Sequence, residues 1–355
     1  MIKVKQYNDI VLSVIMVAHN QAPLVRRCAE SIINQSVPFP YEIIMGDDKS
    51  NDGTWEILCD YASKYPKSIE QEGLYSPRII ATQIDSNDYN PANKSQRGGW
   101  NRSNACSHAT GKYMVVIDAD DYYREGAHNL ADQVAILENH PDCSMCMENI
   151  YILNKGDDFS KARLLFPQQF YEEGKVITAE EYIMNRYFMN TVAFMYRLNN
   201  SSLAQYGSRN VDVTITSHFM QFGKIVCYNS ADYVYENYPY STSHAMGKDN
   251  DVFIFWEQGI YISALIPALS HWYLLSRIDD VRKVVSACRH NYILKPKNKK
   301  FLQGMDVYVY DAFNRKRTII DRFRLHLSTW FIGQMKIHKW ASRLATTILY
   351  KLIIR

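Results

Sequence analysis

"VVIDADDYYREG", residues 115–126, sets the problem this chain poses. Four of its first five positions are apolar, and three of residues 118–121 are aspartates: Asp118, Asp120 and Asp121. The apolar part reads as a strand buried on both faces. A buried strand that ends in this much acid is either a turn capping the next helix or a socket for a divalent cation.

Working outward, two earlier runs share the design. "IVLSVIMVA" (10–18) is nearly continuous β-rich sequence and delivers "AHNQ" at its end; "YEIIMGDD" (41–48) delivers "GDDKSNDGT". Between them, "APLVRRCAESIINQS" spaces Leu24, Cys28 and Ile32 at helical intervals. "GTWEILCDYASKY" is a second amphipathic helix, with Asp52 or Thr54 near its start as a cap. "RIIATQI" is a third strand, "WNRSNACSHATGK" a helix and "YMVVID" the fourth strand. This β-α-β-α-β order predicts an α/β fold with a mostly parallel sheet covered by helices on both faces.

In such sheets, ligands bind outside the carboxyl ends of the strands. The three polar clusters therefore converge on one rim. Each alone has an ordinary reading: Asn20 caps a helix, "DDKSNDG" is turn chemistry and "DADD" is a cap. Together they crowd Asp47, Asp48, Asp118, Asp120 and Asp121 on one rim, which is costly unless a cation or donors neutralise them. A hard divalent ion, Mg²⁺ or Mn²⁺, shared with a nucleotide diphosphate answers that cost. The chain has neither a G-x-x-x-x-G-K-[ST] loop nor a G-x-G-x-x-G after the first strand, and a metal-bridged diphosphate requires neither.

Beyond residue 126 the pattern changes. "GAHNLADQVAILENH" is a helix stopped by Pro141, and "SMCMENIYILN" and "TVAFMYRL" are strands. Residues 211–238 read as a helix, a turn at Gly223 and one or two strands. From about residue 250 the signals are mainly helical, closing on a stretch that mixes apolar and basic residues. The chain of 355 residues is 47% hydrophobic and 22% charged, ordinary for one large globular domain or two smaller ones. Net charge is +3, but residues 291–355 hold 14 Lys and Arg against 3 Asp and Glu, an excess of +11 that leaves −8 elsewhere. Such a tail suits an anionic partner, a membrane surface or a nucleic acid. No nucleic-acid module accompanies the charge, so nucleic acid is the weaker reading.

Seven cysteines, mostly in apolar runs, read as buried free thiols of a reducing compartment. Cys143 and Cys146 form one C-x-x-C without a second ligand pair, a weak zinc signal. "MIKVKQYNDI" has no apolar core of a signal peptide, and the greasiest stretch, near "ISALIPALSHWYLL", is too short to span a bilayer. The expectation is a cytoplasmic protein, peripheral on the inner face of the plasma membrane if the tail docks there.

"LSVIMVAHNQ", "EIIMGDDKSNDGT", "GKYMVVIDADDYY" and "GKIVCYNSADYVYE" stand in the order and spacing of family 2 glycosyltransferases, and the chain resembles that family from about Val11 to Tyr238. It resembles most the bacterial enzymes that assemble surface polysaccharides. The resemblance implies a GT-A (Rossmann-like) domain over residues 1–245, with a nucleotide-sugar half to about 125 and an acceptor half to 245. A basic, helical C-terminal extension, 246–355, completes the expected organisation. It implies inverting transfer of a sugar from a nucleotide-diphosphate sugar, UDP-linked by commonness alone, to a hydroxyl of a glycan or lipid-linked acceptor.

The resemblance also assigns residues. Val17, His19, Asp47, Asp48, Arg102, Asp118 and Asp120 fall at nucleotide-sugar positions. Asp120 and Asp121, with His244 as a weaker third candidate, fall at metal positions for Mn²⁺ or Mg²⁺. Asp212, eleven residues before the "GKI" turn, falls at the catalytic base. Two positions depart from the family pattern. Val211 precedes Asp212 where the family has Glu, Asn or Gly, and Glu236 stands where a "YR-x-H" signature has arginine. Both touch the acceptor side. Two other readings stay open: a nucleotidyltransferase, which usually has a Gly-rich basic loop after the first strand, and a degenerate glycosyltransferase acting as a binding or scaffold protein.

Overall fold

The computed structural model describes residues 9–84, 97–166, 172–184, 191–198 and 212–238. His244, Val211 and the extension 246–355 lie outside the described residues.

The chain opens with β1 (Leu12–Ala18), every residue of it buried, as its unbroken apolar run requires. Helix α1 (Ala22–Ile33) takes Pro23 in its first turn, where a missing N–H costs nothing, and buries Val25, Cys28, Ala29 and Ile32. Then come β2 (Tyr41–Asp47), again wholly buried, and α2 (Thr54–Lys64). A hairpin of β3 (Ile69–Gln71) and β4 (Leu74–Ser76) follows, then β5 (Arg78–Gln83). Next are α3 (Arg97–Cys106), β6 (Tyr113–Asp118), the two-residue β7 (Tyr122–Tyr123) and α4 (Asn129–Asn139). The second half consists of β8 (Cys143–Asn154), β9 (Arg163–Leu164), β10 (Val176–Ile177), α5 (Ala179–Met184), β11 (Phe194–Arg197), α6 (Asp212–Phe219) and β12 (Lys224–Asn237).

One sheet runs β10-β12-β8-β11-β6-β1-β2-β5, with β7 added on β12 and β9 on β8. The long pairings, β1–β2, β1–β6, β2–β5 and β8–β12, are all parallel. Strand β11 is antiparallel to both β6 and β8, so β8 and β12 point the same way as β6. That one reversed strand brings the end of β12 to the same edge of the sheet as the ends of β1, β2 and β6. Helix α3 packs on β1 and β2, α2 on β5, and α4 on β8 and β12. Residues Thr178–Met184 belong to a second compact unit, where Thr178 and Glu181 cap α5 reciprocally.

The opposite edge is locked by one carboxylate. Glu42 is fully buried and accepts from the Ser13 hydroxyl (2.6 Å), the Thr110 amide (2.7 Å) and the Thr110 hydroxyl (2.9 Å), and it pairs with Arg78. Buried charge is tolerated when paired and hydrogen-bonded in this way. The turn into β6 passes so close that a Cβ on Gly111 would lie 2.6 Å from the Ser13 amide nitrogen.

In α6, His218 is buried, with the Phe219 and Phe222 rings at 4.9 and 5.0 Å. Burial pushes its pKa down from 6.5 to about 4. The unfolded chain therefore binds the extra proton first, and stability present above pH 6.5 is lost as pH falls towards 4. At about 1.4 kcal/mol per unit, the loss is on the order of 3–4 kcal/mol at most. His218→Phe, which keeps a ring and removes the proton, is expected to flatten this fall; Tm measured at neutral pH and near pH 5 for both proteins checks it.

The described cysteines are all free. Burial pushes the Cys143 thiol up to about 11 and Cys146 well above its usual value, so neither is a thiolate at neutral pH.

Candidate active site

The strand register brings the predicted clusters together. Val17 of β1 lies opposite Gly46 of β2 on one side and Asp118 of β6 on the other, and Ala18 lies opposite Asp47. The three strands thus end level, and the loops leaving them share one rim.

The β1 and β2 loops are clasped to each other. Asn20 and Lys49 both take a left-handed backbone, at φ of 53° and 49°. The Asn20 amide donates to the Ser50 hydroxyl (2.8 Å), and the Asn51 amide donates back to the Asn20 side chain (2.9 Å). Asp52 accepts from the Ala22 amide (3.0 Å) at the start of α1 and from the Thr54 amide (3.1 Å) at the start of α2. One side chain therefore caps two helices. Asp47 is fully buried, and its carboxylate accepts from Ser50 and, at 2.8 Å, from the Gln83 side chain. It builds the turn from within. The Asp48 carbonyl accepts from His19 Nδ1 at 2.8 Å, which fixes the ring against the β2 loop. His19 is half-exposed, whereas Asp48 is buried.

Asn101 of α3 ties the strands from behind. Its side-chain nitrogen donates to the Ala18 carbonyl (3.2 Å) and the Gly46 carbonyl (3.0 Å). A Cβ at position 46 would meet Asn101 Oδ1 at 2.7 Å, so glycine there permits the approach. The next residue, Arg102, is buried and donates to Asp118 Oδ1 at 3.2 Å.

The acidic turn divides its labour. Asp118 is half-exposed at the rim. Burial and the neighbouring Asp118 push the Asp120 carboxyl up to about 6, against which Gln21 donates a hydrogen bond. Asp121 faces the other way. It is 1% exposed, and its two oxygens accept from the Tyr233 hydroxyl (2.5 Å) and the Glu236 amide (2.9 Å), both on β12. Burial, then Asp120 and Asp118, hold its carboxyl well above the ordinary range.

Arg27 of α1 closes the turn from outside. Its guanidinium pairs with Glu236, donates to the Asp120 carbonyl at 3.1 Å and lies 4.2 Å from the centre of the Tyr122 ring. Asp212 is the first residue of α6. Sequence reading missed Asn101, Arg27 and the double cap by Asp52. Each is a polar residue on a helix or in a turn whose partners are distant in sequence. Only the Arg27 partner left a trace, as the unexpected acid at position 236.

A hard divalent cation takes oxygen ligands and shares them with phosphate. Two repelling carboxylates, Asp118 and Asp120, supply that chemistry, and the raised Asp120 is what such a cation would relieve. Among the described residues no group of three His, Cys, Asp or Glu is arranged to hold a metal ion.

Comparison with known proteins agrees with this arrangement. The chain is 25% identical over 186 residues, 52% of its length, to an uncharacterized protein of Mycobacterium tuberculosis, and covers 46% of that relative. It is 30% identical over 112 residues, 31% of its length, to the poly(ribitol-phosphate) beta-glucosyltransferase of Bacillus spizizenii, and covers 15% of it. The chain thus spans about half the length, or less, of these curated relatives. Its fold is that of S. aureus TarS residues 1–349, solved in complex with UDP-GlcNAc, at a TM-score of 0.50 and 14% identity over 89% of this chain and 92% of that one. The architecture is the α/β GT-A type, with its large, mostly parallel sheet. The profile of glycosyl transferase family 2 matches residues 13–72 and 85–200, which takes in the β1 exit, the β2 turn, Arg102 and the acidic turn after β6. Those are the elements whose ends meet on one rim, and the chain belongs to glycosyltransferase family 2.

Proposed function

We propose that this protein transfers a sugar, with inversion, from a nucleotide-diphosphate sugar to a hydroxyl of a glycan or lipid-linked acceptor in surface polysaccharide synthesis. The observation that carries the reading is the level ending of β1, β2 and β6, with Arg102 donating to Asp118 at the start of the acidic turn on that rim. The glucosyltransferase relative of Bacillus spizizenii and the UDP-GlcNAc complex of the structural neighbour support a UDP-linked donor and a cell-surface glycan acceptor.

In this reading His19 and Asp48 border the base, with Val17 on the strand beneath, while Arg102 and Asp118 border the ribose and phosphates. Asp120 would hold Mn²⁺ or Mg²⁺, with Asp118 in place of Asp121, whose two oxygens are taken by Tyr233 and Glu236; the ion would supply Lewis-acid stabilisation of a diphosphate leaving group. Arg102 fixes the direction of Asp118, and Gln21 that of Asp120. Asp47 and Asp52 keep the two loops in shape. Asp212 takes the proton from the attacking acceptor hydroxyl, and holding the two substrates together lowers the barrier further. The domain is read as residues 1–245, and the basic segment 246–355 as an interfacial surface that brings the site to a lipid-linked acceptor on an anionic membrane. Among the described residues no helix is long and apolar enough to cross a membrane.

A thermal-shift screen of nucleotide-sugars with Mn²⁺ or Mg²⁺ tests the reading. A matching donor at about a hundred times its Kd is expected to stabilise the protein by about 2.7 kcal/mol, and a chelator is expected to remove most of that gain. No stabilisation by any nucleotide-sugar, with either ion, would overturn the reading.

A further inference from the structure

We propose that Arg27 and Glu236 form a charge-swapped clasp that positions the Asp118–Asp121 turn for the donor, making Arg27 a positioning residue; this rests on the donor-binding reading above. Three consecutive residues of the turn are held by this one arrangement. Asp120 is held through its carbonyl, which accepts from Arg27 at 3.1 Å. Asp121 is held through its carboxylate, which accepts from the Glu236 amide at 2.9 Å. Tyr122 is held through its ring, 4.2 Å from the Arg27 guanidinium carbon, and through its pairing with Val234 of β12.

The Glu236 side chain completes the link. It pairs with Arg27 and accepts from the Tyr238 hydroxyl at 2.6 Å. Burial opposes its ionisation, but the Arg27 and Tyr238 hydrogen bonds outweigh burial and hold it below its usual value. The pair is therefore an ionised one, with Glu236 largely buried and Arg27 half-exposed. An unpartnered acid at 236 would add a further negative charge beside Asp118, Asp120 and Asp121. Arg27, supplied from α1, cancels it. The family resemblance expects a positive charge on β12 at this position; here the positive charge comes from α1 and β12 carries the acid.

Arg27 makes two kinds of contact at once. Nη2 serves the Asp120 carbonyl and Glu236 together, while the guanidinium carbon lies over the Tyr122 ring. Lysine keeps the charge but not the plane. The role of Arg27 is therefore geometric as well as electrostatic: it fixes the backbone of the turn at Asp120.

The test is a charge-reversal cycle read by UDP, GDP, ADP and dTDP binding with Mn²⁺, alongside Tm in the absence of nucleotide. Arg27→Glu and Glu236→Arg are each expected to weaken the nucleotide that binds the wild type by about tenfold or more, since each places like charges face to face. The double variant R27E/E236R is expected to recover most of that affinity, and Arg27→Lys to recover only part. If a single reversal proves unstable, Arg27→Gln provides the same reading without like charges. Wild-type affinity in both single variants, with Tm unchanged, would overturn the clasp and leave the donor reading standing. Loss in the singles without recovery in the double variant would also overturn the pairing. A wild type that binds none of the four nucleotides would overturn both.

Discussion

Asp212→Asn is expected to lower kcat by about 10²–10⁴-fold, the range of a general base, while donor binding stays unchanged. The family resemblance assigns the base to this position, eleven residues before the "GKI" turn. Asp212 opens α6, a helix of 8 residues. The far end of that helix is fixed: the Ser144 hydroxyl donates to the Phe219 carbonyl at 2.7 Å, and Ile215 and Phe219 are fully buried. The turn that follows is pinned as well, because a Cβ on Gly223 would lie 2.7 Å from the Asp142 carbonyl oxygen. The described C-terminal part of α6 is thereby anchored in the fold. The measurement is transfer to acceptor against nucleotide affinity in the same preparation. Transfer at near wild-type rate would show that another group takes the proton. Asp212→Glu, which keeps the carboxylate and shifts it by one methylene, is expected to fall between the two.

Much of this site was legible in the sequence, and the reason is physical. Strands β1, β2 and β6 are buried on both faces, so they read as unbroken apolar runs, and their polar ends stand out. The β3–β4 hairpin was not anticipated. Its residues are exposed or half-exposed, including Ile69 and Leu74, so no buried face imposes a period on it. The helix expected over 100–112 forms instead over Arg97–Cys106, since Gly111 is needed where the chain crosses Ser13. The strand expected from Thr191 begins at Phe194, after a 3₁₀ turn. Residues 224–237 form one strand, with a register shift between Tyr228 and Tyr233. The acidic residues were found as a set, but their separate tasks were not. Asp47 and Asp121 point into the fold, and only the partners Gln83, Tyr233 and Glu236, 36 or more positions away, reveal it.

That division predicts opposite outcomes for neighbouring aspartates. Asp121→Ala removes the acceptor for the buried Tyr233 hydroxyl and the Glu236 amide. Each group left unpaired costs about 1–3 kcal/mol, so a large fall in Tm is expected, before any ligand is added. Asp120→Ala removes a carboxyl that the folded state raises from 3.8 to about 6 by burial and by Asp118. A carboxyl raised on folding destabilises the fold as pH climbs through that window, so this variant is expected to keep its Tm at pH 7 or to gain. What it loses is the cation: stabilisation by Mn²⁺ with nucleotide should fall to the level seen with chelator. Tm scans of the wild type and both variants, with and without Mn²⁺ and nucleotide, separate the two roles. If Asp121→Ala kept its Tm and lost only the cation effect while Asp120→Ala retained that effect, the assignments would be reversed. The outcome expected here makes Asp120 a residue whose strain in the free protein is relieved by its ligand, and Asp121 the peg that fastens the acidic turn to β12.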